Sequence, residues 1–112
     1  MKKIEAIIRP AKVGDVCDAL EKVGHPGIMI TEIEGHGKQK GIETEIRGKK
    51  YKVELMTKAR IEVVAKDNDV EGIVKAISKA AFTGEVGDGK IFIYPVLDAV
   101  RIRTSERGDI AV

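Results

Sequence analysis

The residue types and spacing best suited to chemistry lie between positions 84 and 90. The segment reads Gly84-Glu85-Val86-Gly87-Asp88-Gly89-Lys90. Glycine lets main-chain N–H groups approach a ligand closely, and lysine supplies a positive charge that suits phosphate. The spacing follows the G-x-x-x-x-G-K pattern of phosphate loops as far as Lys90, but Ile91 replaces the Ser or Thr that would hold Mg²⁺.

The order of elements around this glycine segment is also reversed, because a helix-like pattern precedes it and a strand-like pattern follows it. A phosphate loop of an NTPase leads from a strand into a helix. We therefore expect a glycine loop that binds an anion and not an NTPase signature. The alternative is a helix C-cap followed by an ordinary turn.

Further cations could complete an anion site. Arg101 and Arg103 alternate in a segment predicted to be the last strand, which would place both side chains on one face. Two guanidinium groups on one face suit a polyphosphate, although a solvated strand face is the alternative. Lys58 could neutralise a small carboxylate ligand. Backbone donors, cations and an apolar cleft between strands together suit a nucleotide.

Catalytic and metal-binding patterns are poor. His25 and His36 both lie in turns beside Gly or Pro, and neither has a partner at metal-ligand spacing. Cys17 is the single cysteine, which excludes a zinc pattern built on several cysteines. No nucleophile elbow marks a serine hydrolase. We therefore predict that the protein is not an enzyme.

Composition is that of a globular protein of 112 residues, so we predict one domain over residues 1–112. The single cysteine excludes an internal disulfide and fits a reducing compartment. No run is apolar and long enough for a signal peptide or a membrane span, which predicts a soluble cytoplasmic protein. With no Trp, two Tyr and two Phe, the chain offers little for stacking single-stranded nucleic acid.

The elements that must position these residues occur twice. The strand pattern at 4–8 recurs at 61–65, and at the same offset the apolar stripe of a helix over 12–23 recurs in a helix that begins near 70. Further strands are predicted over 28–34, 91–94 and 99–104. The order βαβ-βαβ predicts an α+β, ferredoxin-like fold with an antiparallel sheet and an extra C-terminal strand.

Two features of this fold remain to be explained. Helices would cover one face of the sheet, and the apolar residues on the other face predict a homo-oligomer. The segment 35–52 is polar, rich in Gly and Lys, and has no clear period. A loop of this length is usually functional, and the alternative is a long exposed β-hairpin with solvated charges.

At this point the sequence resembles the PII family of nitrogen-regulatory signal-transduction proteins along essentially its whole length. The motifs that carry the resemblance are residues 1–10, 35–41, 83–92 and 101–104, with Tyr51 inside the long segment. The resemblance implies a homotrimer in which ATP and ADP compete for clefts between subunits. It also implies sensing of 2-oxoglutarate together with Mg²⁺ and ATP.

The resemblance further implies roles for individual residues. Residues expected near the phosphates are Gly37, Lys38, Gly87, Asp88, Gly89, Lys90, Arg101 and Arg103. Residues expected beside the adenosine are Gly27, Met29, Glu62 and Val64. Gln39 would bind nucleotide and hold Mg²⁺. The 2-oxoglutarate site would comprise Gln39, Gly41, Lys58 and Gly87, with Lys58 pairing with a carboxylate.

The same resemblance divides the chain into functional loops. Residues 37–55 would be the T-loop, which docks on a target such as an ammonium transporter, so the membrane is involved only through that transporter. Residues 82–90 would be the glycine-rich B-loop and 102–112 the C-terminal loop. Tyr51 matches the position that some members modify by uridylylation. The implied function is a non-enzymatic sensor of nitrogen and energy status.

The sequence also departs from the family pattern. Met29 stands where Thr is common, and Ser105 stands where Gly is usual. The first alternative is a PII-like sensor of adenine nucleotide alone, which regulates a different transporter or enzyme. The others are a nucleotide hydrolase, disfavoured by Ile91, and an RNA-binding module, disfavoured because the aromatic motif of an RRM is missing.

Overall fold

The computed structural model describes residues 1–25, 27–46 and 49–112, and describes side chains for 1–25, 27–34 and 56–112. The strands are β1 (Lys2–Ile8), β2 (Met29–Ile46), β3 (Lys49–Ala65) and β4 (Lys90–Pro95). The helices are α1 (Val13–Lys22) and α2 (Val70–Ala81), each preceded by a short 3-10 turn. The order β1-α1-β2-β3-α2-β4 confirms the repeated βαβ unit.

The four strands form one sheet in the order β2-β3-β1-β4, and every neighbouring pair is antiparallel. The two strands that share a sequence pattern, β1 and β3, are therefore central neighbours. This topology confirms the predicted α+β, ferredoxin-like fold.

The core lies between the sheet and the two helices. Alternate residues of the central strands face the helices, and their register places Ile4 opposite Val63 and Ala6 opposite Ile61. Val16 and Leu20 of α1 and Ile73 and Ile77 of α2 complete it at helical spacing. The buried apolar residues are Ile4, Ala6, Ile8, Val16, Leu20, Ala59, Ile61, Val63, Ala65, Val70, Ile73, Ile77 and Ala81.

The opposite face of the sheet, here called the open face, carries charge at its centre. Lys3 Nζ lies 3.5 Å from Glu62 Oε2 and 3.8 Å from Glu5 Oε2, and it stands 4.7 Å from the centre of the Tyr94 ring. Arg60 Nε lies 3.0 Å from Glu62 Oε1. Apolar side chains accompany this network: Ile7 and Val64 are half-buried and Phe92 is exposed.

The backbone of the long polar segment forms a β-hairpin, the structure named above as the alternative to a long functional loop. Residues from Gly35 to Lys38 pair with Met56 to Val53, and residues from Glu43 to Ile46 pair with Lys52 to Lys49. Between Lys38 and Glu43 the register shifts, so residues 39–42 of β2 have no register partner in β3. An antiparallel ladder pairs backbone groups whatever the side chains are, which explains a strand without an apolar period.

The predicted strand at 99–104 is not formed among the described residues. Val100 makes only an isolated bridge to Arg107, and residues 102–104 lie in a turn. Ser105, with φ of 62°, lies in the left-handed region and reverses the chain. The segment therefore pairs with itself: Gly108 N donates to Ala99 O at 3.0 Å. The expectation that Arg101 and Arg103 alternate along a strand is wrong for this reason.

Candidate functional site

The glycine loop connects α2 to β4. The helix ends at Ala81, and Phe82 follows in an extended conformation with φ of −66° and ψ of 131°. The left-handed glycines come later, at Gly84, Gly87 and Gly89. A helix cap therefore does not account for these glycines, and the loop has a conformation of its own.

Asp88 holds the loop together from inside. Its carboxylate accepts hydrogen bonds from the backbone N–H groups of Thr83 and Gly84, both at 2.9 Å, and from the Thr83 hydroxyl. These bonds, those from Thr83 first, keep the pKa of Asp88 well below its ordinary value. Because the side chain points into the loop, contact between Asp88 and an anion would have to use its backbone.

Arg9 lies at the site, although sequence reasoning assigned it no individual role. It is the last residue before Pro10, just beyond the end of β1. Its Nη2 donates to Val86 O at 2.8 Å, and its Nε donates to Asp88 Oδ1 at 3.4 Å. The sequence signal for Arg9 was a cation placed directly after a core strand and directly before a proline. A residue in this position lies at the end of the sheet, beside the loop that packs there.

Lys58 and two glycines bring the loop against the sheet. Lys58 Nζ donates to Gly87 O at 2.7 Å, which brings together two residues predicted for 2-oxoglutarate binding. A Cβ built on Gly89 would lie 1.7 Å from Ile7 O, so only glycine permits this approach. The side chain of Lys90 is exposed and makes no hydrogen bond or ion pair with the described residues. Arg9, Lys58 and residues 87–90 are here called the loop-end patch.

A second group lies at the other end of the sheet. Met29 and Glu62 are register partners, and Val64 follows on β3. Gly27 and Val64 line a cavity of about 330 Å³ together with His25, Lys66 and Asp69. Gly27, Met29, Glu62 and Val64 are here called the far-end patch. At about 3.3 Å per residue, Val64 lies roughly 20 Å along β3 from Lys58.

The C-terminal segment also starts from the far end of the sheet. Strand β4 runs from Lys90 at the glycine loop to Pro95, and Val96 N then donates to Met1 O at 3.2 Å. Val112 lines the same cavity as Gly27 and Val64. In the turn that follows β4, Arg101 is half-buried and Arg103 is exposed.

The remaining predicted residues lie where only the backbone is described. Gly37 and Lys38 pair with Glu54 and Val53, whereas Gln39 and Gly41 fall in the unpaired stretch 39–42. Tyr51 lies on β3 opposite Thr44, and its side chain is outside the described residues. The predicted contacts of Gln39 with Mg²⁺ and 2-oxoglutarate would involve its side chain, which lies outside the described residues. For Gln39 the structure describes only the position of the backbone.

Other chemistry finds little support in the part of the chain that the structure describes. No group of three or more His, Cys, Asp or Glu side chains could hold a metal ion there. Burial, and then the neighbouring Asp18, raises the pKa of the Cys17 thiol, which makes it a weaker nucleophile at neutral pH. None of the described helices is both long and apolar enough to cross a bilayer.

Comparison with known proteins gives the same assignment over the whole chain. A family model described as "Nitrogen regulatory protein P-II" matches residues 1–106. Nitrogen regulatory protein P-II of Azospirillum brasilense is 52% identical over 112 residues, which is all of both chains. Nitrogen regulatory protein P-II 2 of Methanothermobacter thermautotrophicus is 50% identical over 112 residues, covering all of this chain and 97% of the relative.

The fold agrees as well. A crystal structure of Arabidopsis thaliana PII bound to citrate superposes with a TM-score of 0.81 and 38% sequence identity, covering 99% of this chain and 91% of that one. The sequence match, the topology and the glycine loop all lead to one assignment. The chain belongs to the P-II family of nitrogen-regulatory signal-transduction proteins.

Proposed function

We propose that this protein is a non-enzymatic sensor that binds ATP or ADP in clefts between the subunits of a homotrimer. In this proposal 2-oxoglutarate binds together with Mg²⁺ and ATP, and the hairpin 37–55 reports the bound state to a target protein. An ammonium transporter or a nitrogen-assimilation enzyme is the proposed target. The whole chain, residues 1–112, acts as one domain.

The observation that carries the proposal is the loop-end patch. Three left-handed glycines, at 84, 87 and 89, give the loop its path, and Arg9 and Lys58 hold it in place. Lys90 is exposed and carries the charge that a phosphate requires. A preorganised glycine loop with a free cation supports anion binding, because the loop is already ordered and loses little conformational entropy when the ligand binds.

The separation of the two patches supports a cleft between subunits. Within one chain the far-end patch lies roughly 13 Å (Glu62) to 20 Å (Val64) from Lys58 along β3, which is longer than the distance between the base and the α-phosphate of a nucleotide. A second subunit could bring its far-end patch to the loop-end patch of the first. The charged open face and its exposed neighbours Phe92 and Tyr94 offer a surface for that contact.

The unpaired stretch 39–42 supports the proposed coupling between ligand and hairpin. Gln39 and Gly41 lie there, at the base of the segment proposed to meet the target. Irregularities in a ladder occur frequently beside functional sites because they redirect side chains. The Arabidopsis PII structure is bound to citrate, and a small carboxylate in that relative supports a carboxylate effector in this chain.

Calorimetry on the full chain tests the proposal. We expect ATP and ADP to bind, and 2-oxoglutarate to bind only when Mg²⁺ and ATP are present. Lys90→Ala and Arg103→Ala should each weaken nucleotide binding by about tenfold or more, since a charge-assisted contact contributes about 1.5–3 kcal/mol. Lys79→Ala, which removes an exposed lysine of α2, serves as the matched control.

Lys58→Ala tests the 2-oxoglutarate assignment separately. We expect loss of 2-oxoglutarate binding with ATP binding retained. Equal loss of both ligands would mean that Lys58 acts through its bond to Gly87 O and not on the effector. If the wild-type protein binds ATP but shows no heat with 2-oxoglutarate, the chain senses nucleotide alone.

A further inference from the structure

The two arginines that were expected to act alike have different surroundings. Arg103 is exposed and has no polar partner among the described residues. Arg101 is half-buried, and both of its terminal nitrogens are engaged. Its Nη1 donates to Glu106 Oε1 at 2.7 Å, and its Nη2 donates to Ile110 O at 2.9 Å. A guanidinium held at two points loses little freedom when it binds a third group.

The chain reversal explains why Glu106 reaches Arg101. Arg101 N donates to Glu106 O at 2.9 Å, and Ser105 N donates to Arg101 O at 2.8 Å. Arg101 and Glu106 thus lie opposite each other across a tight turn, where their side chains leave on the same side. This contact lies within the C-terminal segment, so neither residue depends on the sheet for it.

Thr104 fixes the carboxylate in turn. The Thr104 hydroxyl donates to Glu106 Oε1 at 2.6 Å, and the Thr104 hydroxyl oxygen accepts a hydrogen bond from Glu106 N at 3.3 Å. The hydrogen bond from Thr104 and the nearby Arg101 charge lower the pKa of Glu106, so it is ionised at neutral pH. One carboxylate oxygen therefore links the hydroxyl of Thr104 to the guanidinium of Arg101.

We propose that Glu106 is a positioning residue for the anion site: it holds the Arg101 guanidinium in one orientation and leaves its other N–H groups for a ligand phosphate. Thr104 sets the position of Glu106. The inference rests on the proposed nucleotide function, and it adds a residue that does not itself touch the ligand. Arg103, which lacks such a support, contributes charge without a fixed orientation.

The competing possibility is that Glu106 occupies Arg101 and opposes the ligand. The two possibilities predict opposite changes in nucleotide affinity when Glu106 is removed. If Glu106 positions Arg101, its removal weakens binding; if Glu106 competes with the ligand for Arg101, its removal strengthens binding. Glu106→Gln keeps an acceptor oxygen at the same place and removes the charge. It therefore separates the hydrogen bond, which positions Arg101, from the negative charge, which would repel a phosphate.

Calorimetric titration of the full chain with Mg²⁺ and ATP, and with ADP, tests the proposal. We expect Glu106→Ala to weaken nucleotide binding about tenfold, the loss of roughly one charge-assisted hydrogen bond. Glu106→Gln should restore affinity to within about threefold of wild type. In the Arg101→Ala background, Glu106→Ala should have no further effect, because its action passes through Arg101.

Asp98→Ala is the control for loop structure. Asp98 also stabilises this segment, through Arg107 and through the backbone N–H groups of Ala99 and Gly108, but it does not contact Arg101. We expect it to keep nucleotide affinity within about threefold of wild type. An equal loss in Asp98→Ala and Glu106→Ala would overturn the proposal, since loop stability alone would explain both.

Three further results would overturn it: unchanged or tighter binding in Glu106→Ala, no rescue by Glu106→Gln, or a Glu106→Ala effect that persists without Arg101. Failure of the proposed function is recognised separately, because then the wild-type protein binds neither nucleotide. If wild type binds but Arg101→Ala does so equally well, the nucleotide function stands and both Arg101 and Glu106 lie outside it. Circular dichroism melts of each variant show whether it is folded.

Discussion

Gly89 shows how one residue type decides whether the glycine loop can close on the sheet. Its φ of +101° is unfavourable for other residues, and a side chain would meet the carbonyl oxygen of Ile7. We expect Gly89→Ala to lower the free energy of unfolding by about 3 kcal/mol, from backbone strain and overpacking together. Thermal unfolding at fixed protein concentration measures the change.

Gly72→Ala is the matched control for that substitution. Gly72 lies on α2, where an added Cβ would meet no atom within 4 Å apart from the backbone of its own helix and its chain neighbours. Alanine favours helix over glycine by about 0.8–1 kcal/mol, so this variant should be more stable than wild type. Equal stability of the Gly89→Ala variant and wild type would show that the loop can move away from Ile7 at no cost.

Asp88 makes the loop sensitive to acid. Because the pKa of its carboxyl is lowered on folding, the charged form stabilises the folded state above the ordinary Asp pKa of about 3.9. That stabilisation decreases as the pH falls below this value. We therefore expect Asp88→Asn to be less stable than wild type at pH 7, and the difference to shrink below about pH 4. Denaturant unfolding at both pH values measures it.

Sequence patterns indicated the residues proposed to bind an anion more readily than the residues that support them. Lys58, Gly87 and Lys90 are recognisable from type and spacing. The inward direction of Asp88, the bond from Arg9 to Val86 and the link from Glu106 to Arg101 depend on the path of the backbone. The pattern of residue types does not predict which of two neighbouring polar groups a side chain in a loop will contact.

Among the elements, the C-terminal turn depends on Ser105. Its φ of 62° is left-handed, and β-branched side chains are poorly tolerated there. We expect Ser105→Val to lower the free energy of unfolding by about 1 kcal/mol or more. Ser105→Gly should change it by less than about 0.5 kcal/mol, since relief of strain is offset by the greater freedom of glycine in the unfolded chain. Denaturant unfolding of both variants compares them.

The same substitutions separate stability from site geometry. If Glu106 reaches Arg101 only because the chain reverses at Ser105, Ser105→Val should also weaken nucleotide binding. A Val variant that unfolds as wild type does would contradict the assigned left-handed conformation.

Element prediction succeeded where burial imposes a period. The core strands and both helices follow from apolar residues at spacings of two and of three to four, and the repeat at 4–8 and 61–65 predicted the topology. The strand predicted over 99–104 was wrong because alternation of Val and Ile with Arg is compatible with a strand of the sheet and also with a turn that pairs with itself. The segment 35–52 has no apolar period in its sequence, so patterning could not predict its strands.

For the protein as a whole, the proposed trimer with clefts between subunits predicts complementation between defective subunits. Lys90→Ala damages the loop end, and Arg103→Ala damages the C-terminal segment that leaves from the far end. When the two variants are unfolded together and refolded, random trimers should contain about one cleft in four with both halves intact. Calorimetry should then recover nucleotide sites at wild-type affinity in that fraction.

Each variant refolded alone is the control for that experiment. If nucleotide sites lay within single subunits, mixing would recover none of them. Recovery without a change in molecular mass from that of the monomer would contradict the trimer instead, so light scattering accompanies the titration. The two measurements together separate the location of the site from the assembly.

The position of β4 at one edge of the sheet affects the tendency of a newly synthesised chain to aggregate. Its residues Ile91, Phe92, Ile93 and Tyr94 form an apolar run of high β propensity, and one side of the strand has no neighbour in the sheet. Such an edge is a template for pairing with strands of other chains, which leads to aggregation. Lys90 and Pro95 at the two ends limit that pairing, as charge and a missing N–H do at protected edges. If the proposed trimer covers this strand, a newly made subunit depends on Lys90 and Pro95 until it assembles.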